Sequence, residues 1–437
     1  MRYNALNKTQ KGYFVMRIRV EGGHALNGTY KPSGNGNAAI AMLAASMLTE
    51  QPVILQNMPD TTNVQAMLDV AERLGAVYSR AGNTVTIQTP QLVRRVITSE
   101  DTDAALGALL YLAPILVRRD YVRLEVDFPL NRIRTHLEAL RDLGLDVINV
   151  EGAVEIRSTK WDYKDIILTQ TSVTATAIVM MLAACLGKET IIHNAASEPH
   201  LQQLGHLLER MGAQVQGLSS NVLHIFGKEQ PLHGTDYTIE CDHIEAASVA
   251  AIIALTGGRG QIKGTRQPDL RMIAKIYQRL GLHLDVDQHD TFIGRHELLT
   301  VSNREEDVDS SIETAPWPGF PSDLVAIATV IATQARGTSL IHEKLYNNRL
   351  IFVDKLKAMG AQIVLCDPHR AIVVGRSPLY PIYMDSPDVR TGLGMLAAAL
   401  IAEGETVIDN AQALSQNFDR VLNKLKNLGA KIVVETA

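Results

Sequence analysis

The chain is poor in the residues that mark several functional classes. Three cysteines in 437 residues, Cys185, Cys241 and Cys366, make an odd count with no C-x-x-C spacing, so neither a disulfide framework nor a structural zinc site is expected. None of the thirteen histidines falls into an H-x-x-x-H or H-E-x-x-H pair, which argues against a metal centre. No apolar run exceeds residues 177–186, about half of the roughly 20 residues a bilayer-spanning helix needs, so no membrane insertion is expected. Basic residues are scattered, and 42 Lys and Arg against 47 Asp and Glu leave a net charge of −5, so the chain does not read as a nucleic-acid binder. The stretch PSGNGNAA lacks the third glycine and the later acidic residue of a dinucleotide fingerprint, and no cofactor is expected. The opening MRYNALNKTQKGYF has no apolar h-region, so it is no secretory signal, and a cytoplasmic location fits the cysteine usage. Residues 1–15 read as a disordered extension or as an over-long start ahead of the strand-like MRIRVEGG.

What the sequence does have is repetition. A helix ending in (L/M)-G-(A/L) and followed by a strand recurs six times, with its glycine at Gly75, Gly144, Gly212, Gly281, Gly360 and Gly429. Successive intervals are 69, 68, 69, 79 and 69 residues, too steady for accident. In the first copy, PDTTNVQAMLDVAERLGA, Thr61 or Thr62 can cap a helix whose Val64, Met67, Leu68, Ala71 and Leu74 keep helical spacing. Gly75 supplies a left-handed residue to end it, and Gly82-Asn83 reads as a hairpin turn. A second helix, Ala-rich and apolar all round, precedes each of these and is expected to be buried: AAIAMLAASML, ALGALLYLAPIL, TATAIVMMLAACL, EAASVAAIIAL, DLVAIATVIAT and GLGMLAAALIA. The pattern predicts an α/β protein of two pseudo-threefold domains, three units each, with internal helices walled by sheets. The 79-residue interval carries about ten extra residues around SIETAPWPGFPSDL, where a functional loop is expected.

The sixfold repeat together with LNGTYKPSGNGNAA, IIHNAASEP, TAPWPGFPSD, YNNRLIFVDKLKAMGA and DSPDVRTGLGMLAAALIAEGETVI resembles the UDP-N-acetylglucosamine enolpyruvyl transferase (1-carboxyvinyltransferase) family, from about Met16 to the C-terminus. The related shikimate-phosphate enzyme shares the repeat but lacks the TAP-x-P-x-FP-(S/T)-D segment. The resemblance implies the enolpyruvyl transferase fold, two inside-out α/β barrels, one from residues 16–34 plus 241–437 and one from residues 35–240, with a cleft between them. It implies transfer of the enolpyruvyl group of phosphoenolpyruvate to the 3′-hydroxyl of a sugar nucleotide with loss of phosphate, as in peptidoglycan precursor synthesis.

By that resemblance Asp323 is the base for the sugar hydroxyl, Arg390 grips the carboxylate of phosphoenolpyruvate, and Arg349 is a second pocket arginine. Asn37 falls in the S-G-x-K-N-A turn, and Ser172 and Val173 fall where the family holds the diphosphate. Taken alone, Asp323, Asn37 and Ser172 read as helix caps and the arginines as surface ion-pair partners. The pattern also breaks. The phosphate-contacting lysine becomes Gly36, arginines become Leu106, Asn131 and Gln416, and Gln170 and Thr174 replace a lysine and a glycine of the diphosphate site. Arg132 or Arg134 could substitute at the position of Asn131. The family's loop with its cysteine or aspartate acid is absent, leaving Asp127 as the nearest carboxylate, so indifference to fosfomycin, which alkylates that cysteine in the family, is expected. Each lost charge-assisted contact is worth about 1.5–3 kcal/mol, which gives weight to an alternative in which the chain binds a sugar nucleotide without catalysis. His136 and His243 fall beside the expected pocket and read as satisfied structural histidines; the three cysteines read as buried or strand residues, packed and inert.

Overall fold

The computed structural model describes residues 16–228, 230–302, 311–384 and 391–436. The expectation for residues 1–15 and the assignment of Arg390 lie outside the described residues.

The sixfold repeat becomes six small sheets with one shared topology. Each holds a parallel pair of strands, to which two further strands are added antiparallel; the order Trp161–Ile167, Gly187–His193, Val222–Phe226, Gln214–Gln216 is one example. All six repeat glycines have positive φ, from 83° at Gly281 to 112° at Gly75. At Gly75 a Cβ would also meet the Gln91 carbonyl oxygen at 2.3 Å, so conformation and space both require glycine. Thr61, not Thr62, caps the helix Thr62–Leu74 by accepting from the Val64 amide. The five apolar positions named in that helix are all buried, and the strands Val77–Ala81 and Thr84–Gln88 flank the Gly82-Asn83 turn.

Five of the six apolar segments form helices buried almost throughout: Gly36–Ser46, Val173–Leu186, His243–Leu255, Val325–Gln334 and Gly392–Ile401. The second segment differs from expectation. It is a 3-10 turn, Leu106–Tyr111, followed by a short helix, Leu112–Arg119. Pro114 is the cause: it has no N–H to continue a helix running through residue 110, but is tolerated in the first turn of a helix that starts at Leu112. The small side chains let the internal helices approach closely. A Cβ on Gly394 would lie 2.7 Å from that of Ala326, so the last two buried helices cross at a spacing only glycine permits.

The extra residues of the long interval are accounted for in part by an added strand. Ile312–Glu313 pairs with Ala335–His342 and makes that sheet five-stranded. The buried apolar residues fall into two clusters, one drawn from residues 38–239, the other from residues 18–30 and 246–432. The chain passes between them twice, and the two crossings lie side by side: Gly34 and Cys241 form an antiparallel bridge, the Asn35 amide donates to the Glu240 carbonyl at 2.9 Å and the Asp242 amide to the Ser33 carbonyl at 2.8 Å. No helix among the described residues is long and apolar enough to cross a membrane.

Candidate functional site

The proline-flanked segment of the long interval is pinned by one buried carboxylate. Glu343 is fully buried and accepts from the Thr314 hydroxyl at 3.0 Å and the Ser322 hydroxyl at 2.5 Å. It also accepts from the Leu345 and Tyr346 amides at 2.8 and 3.1 Å. One side chain therefore ties the loop that carries Asp323 to the loop that carries Arg349. Asp323 sits in the 3-10 turn Ser322–Leu324 that feeds the helix Val325–Gln334; neither element has a side-chain cap, so Asp323 is not the cap it resembled in sequence. Instead it accepts from Nη1 of Arg349 at 3.0 Å, with its own side chain 47% exposed and the arginine's only 7%. The guanidinium lies 4.6 Å from the centroid of the Tyr346 ring, so the arginine is held by stacking as well as by charge.

Asp323 and Asn37 line two adjoining cavities. The first, about 550 Å³, is also lined by Gly36, Leu106, Asp242 and Gln416. No lysine or arginine is among the described residues that line it. Three positions identified as lost cations thus do face one cavity. Asp242 caps the helix His243–Leu255 through the Ile244 and Glu245 amides at 2.8 and 3.1 Å, and desolvation pushes its carboxyl up to about 6 despite those bonds. The second cavity, about 360 Å³, adds Val173, Glu198, His200, His243 and Arg349. Burial raises the Glu198 carboxyl and lowers His200 to about 3 and His243 to about 4, so both imidazoles are neutral at physiological pH. His243 packs edge to face on Trp317, with centroids 5.6 Å apart, and the Ser197 hydroxyl donates to the Trp317 carbonyl at 3.1 Å. Walls from both apolar clusters meet here.

The other assignments fare unevenly. Asn37 is in the first turn of its helix, but the cap is Asn35, which accepts from the Ala38 amide at 3.0 Å, leaving Asn37 to face the cavities. Val173 reaches the second cavity, whereas Ser172 caps the helix Val173–Leu186 through the Ala175 amide at 3.3 Å and is not among the lining residues. Arg132 is not brought to either cavity: it is exposed, with its guanidinium 5.0 Å from the centroid of the Phe128 ring. Asn131 and Asp127 are likewise exposed, and only residues 126–129 separate the strand Tyr121–Glu125 from the turn Leu130–Ile133, too few for the family's loop. His136 is half-satisfied: one nitrogen is hydrogen-bonded to the Thr174 hydroxyl at 2.6 Å, and Nδ1 is buried without a partner among the described residues. Cys185 and Cys241 are partly buried, their thiols pushed up to about 12 and about 11 by desolvation. Cys366, read as packed, is exposed, because its strand Gln362–Asp367 is at a sheet edge. Sequence reasoning missed Glu198, His200, Trp317 and Glu343. Glu198 and Trp317 stand inside segments that carried the resemblance and His200 just past one, but nothing in the residues alone signals Glu343.

The family description EPSP synthase (3-phosphoshikimate 1-carboxyvinyltransferase) matches residues 20–434. The chain belongs to the EPSP synthase family. Among relatives of this EPSP synthase family member, the UDP-N-acetylglucosamine 1-carboxyvinyltransferase of Borrelia garinii subsp. bavariensis is 39% identical over 94% of this chain and 97% of its own. The protein of the same name from Treponema pallidum is 38% identical over 95% and 98%. In fold, the chain is similar to the enolpyruvyl transferase NikO from Streptomyces tendae, with a TM-score of 0.85 at 20% identity over 97% of this chain and 100% of that one. The EPSP synthase of Acinetobacter baumannii follows, with a TM-score of 0.74 at 16% identity over 96% and 100%. The enolpyruvyl transferase fold that the resemblance implies is therefore the fold observed.

Proposed function

We propose that this member of the EPSP synthase family is a UDP-N-acetylglucosamine 1-carboxyvinyltransferase, acting in the cytoplasm on peptidoglycan precursors. The observation that carries the reading is Asp323, fixed by Arg349 and lining both cavities, on the segment that distinguishes the sugar-nucleotide branch. In this reading Asp323 takes the proton of the sugar 3′-hydroxyl as that oxygen bonds to the enol carbon of phosphoenolpyruvate and the methylene carbon takes up a proton; loss of a proton from the resulting methyl group then restores the double bond as the C–O bond to phosphate breaks and inorganic phosphate leaves. Arg349 positions Asp323 and Arg390 meets the donor's carboxylate. Asn37 lies where both substrates would approach, Val173 lines the sugar-nucleotide side, and Ser172 shapes the same helix start. Arg132 would have to move to reach the donor. The two apolar clusters are read as two inside-out barrels, residues 16–34 plus 241–437 and residues 35–240, a division supported by the paired crossings at Gly34 and Cys241. Nothing among the relatives favours the non-catalytic alternative. The test is phosphate release from purified protein with UDP-N-acetylglucosamine and phosphoenolpyruvate. Turnover dependent on both is expected; no release above a blank at high protein concentration, with thermal stabilisation by the sugar nucleotide alone, would return the reading to a binding protein.

A further inference from the structure

Among the described residues, His200 is the one side chain with two buried polar atoms left unpaired. It is 7% exposed and sits in the first turn of the helix Pro199–Arg210, yet neither ring nitrogen has a hydrogen-bond partner among the described residues. Native proteins pair nearly all buried polar atoms, and leaving two unpaired on one side chain is costly unless something else completes them. His200 lines the 360 Å³ cavity, as do Asp323 and Arg349, so the missing partners are ones that enter that cavity. A second group is partly open: Glu198, two residues earlier and lining the same space, has backbone groups of Ser197, Glu198 and Trp317 against its carboxyl, yet its buried Oε2 has no hydrogen-bond partner among the described residues.

The chemistry of these groups restricts the occupant. Burial and the neighbouring His243 keep the His200 imidazole neutral, and it cannot meet a phosphate as a cation. A neutral imidazole offers one donor and one acceptor. The two nitrogens point away from each other, so they are complemented by two polar groups of one ligand, an acceptor for the donor and a hydroxyl or amide N–H for the other, as a polyol or an acetamido sugar presents. The cavity is within the size range of small-molecule sites, and Asn37, Asp323 and Glu198 add the further polar contacts that a polyol requires.

We infer that His200 reads the acceptor, one ring nitrogen donating a hydrogen bond to one polar group of the sugar held in this cavity and the other accepting from a second, a hydroxyl or the acetamido N–H. The inference rests on the proposed acceptor, and it makes His200 a specificity-determining residue distinct from the proposed base. Sites built to hydrogen-bond a ligand discriminate strongly, because a wrong ligand leaves their own buried groups unpaired.

The test uses the full-length protein and UDP-N-acetylglucosamine as the probe, titrated calorimetrically against wild type, His200→Phe and His200→Gln. Phenylalanine fills the ring's space without either hydrogen bond, whereas glutamine keeps a donor and an acceptor. Expected are sugar-nucleotide binding about 10- to 100-fold weaker in the Phe variant and intermediate in the Gln variant. The KM for the sugar nucleotide should rise while that for phosphoenolpyruvate holds. The Phe variant should melt at or above wild type, since it removes two unpaired buried nitrogens. Equal binding by wild type and the Phe variant would overturn the inference alone. A Phe variant that melts well below wild type, with a Gln variant equally impaired, would assign His200 a structural role instead and also overturn it. Wild type that fails to bind the probe would overturn the proposed acceptor together with this inference.

Discussion

Three buried histidines make the protein's stability sensitive to mild acid. His136, His200 and His243 are each 9% exposed or less, and burial lowers them to about 4, about 3 and about 4. Their unfolded value is about 6.5, so between that value and the folded ones the unfolded chain binds protons that the folded chain refuses, and stability falls as pH falls. From about pH 7.5 to about pH 5 each contributes a loss of about 2 kcal/mol, about 6 kcal/mol together. Asp242 and Asp269 act in the opposite sense. Desolvation raises both to about 6; because the folded protein then takes up their protons first, each returns about 1.4 kcal/mol over the same interval. Burial raises Glu198 and Glu245 in the same sense, so the expected net loss is at most about 3 kcal/mol. Urea denaturation at the two pH values measures it, and His200→Phe isolates one contributor: its acid-induced loss should be about 2 kcal/mol smaller than that of wild type. An acid response identical in wild type and this variant, or stability that rises on acidification, would refute the reasoning.

The remaining expectations concern the loops and the repeat. Asp323→Asn should lower the rate of phosphate release by about 10²- to 10⁴-fold with little change in sugar-nucleotide binding, as expected when a positioned base is lost. Arg349→Met should lower kcat/KM by at least about tenfold, and Arg349→Lys should recover only part of it, because an ammonium cannot reproduce the stacked guanidinium over Tyr346. Incubation with fosfomycin should leave Cys185, Cys241 and Cys366 unmodified by mass spectrometry. Two of these thiols are held protonated by burial, and the exposed Cys366 lines neither of the two candidate cavities. Gly75→Ala should cost more than the roughly 1 kcal/mol of an ordinary helix-terminal change, readable as a lowered Tm, since both φ and the Gln91 carbonyl oppose a side chain.

Much of the architecture was legible because it is written six times. A helix that ends on a left-handed glycine and an Ala-rich helix with no polar face are local statements, and Gly75, Thr61 and the hairpin at Gly82-Asn83 behave as their own residues dictate. The kinked segment at Pro114 was in principle readable too, but its apolar periodicity outweighed one proline in the reading. The site was legible only in part. Asp323, Arg349 and Asn37 stand in segments distinctive enough to name. Ser172 illustrates the limit: a serine before an apolar run has the same appearance whether it caps a helix or holds a ligand, and here it caps. Glu343 and His200 were invisible for a different reason. Their significance lies in which partners they have or lack, and those partners come from positions up to 29 residues away at Thr314 for Glu343, or from no described residue at all for His200.

The strand Met16–Glu21 lies between Glu405–Ile408 and Lys431–Thr436, so the sixth sheet takes a member from each end of the chain. During synthesis that order is inverted: this early strand is among the last to find its place, and Ile18 and Val20, both fully buried at the end, have no sheet to join until about 400 further residues have followed. The sixth sheet is therefore closed by a non-covalent seam between the two ends of the chain. Removing the final strand would strip the first one of one of its two neighbours and leave it paired only with Glu405–Ile408, so damage at one terminus would be felt at the other.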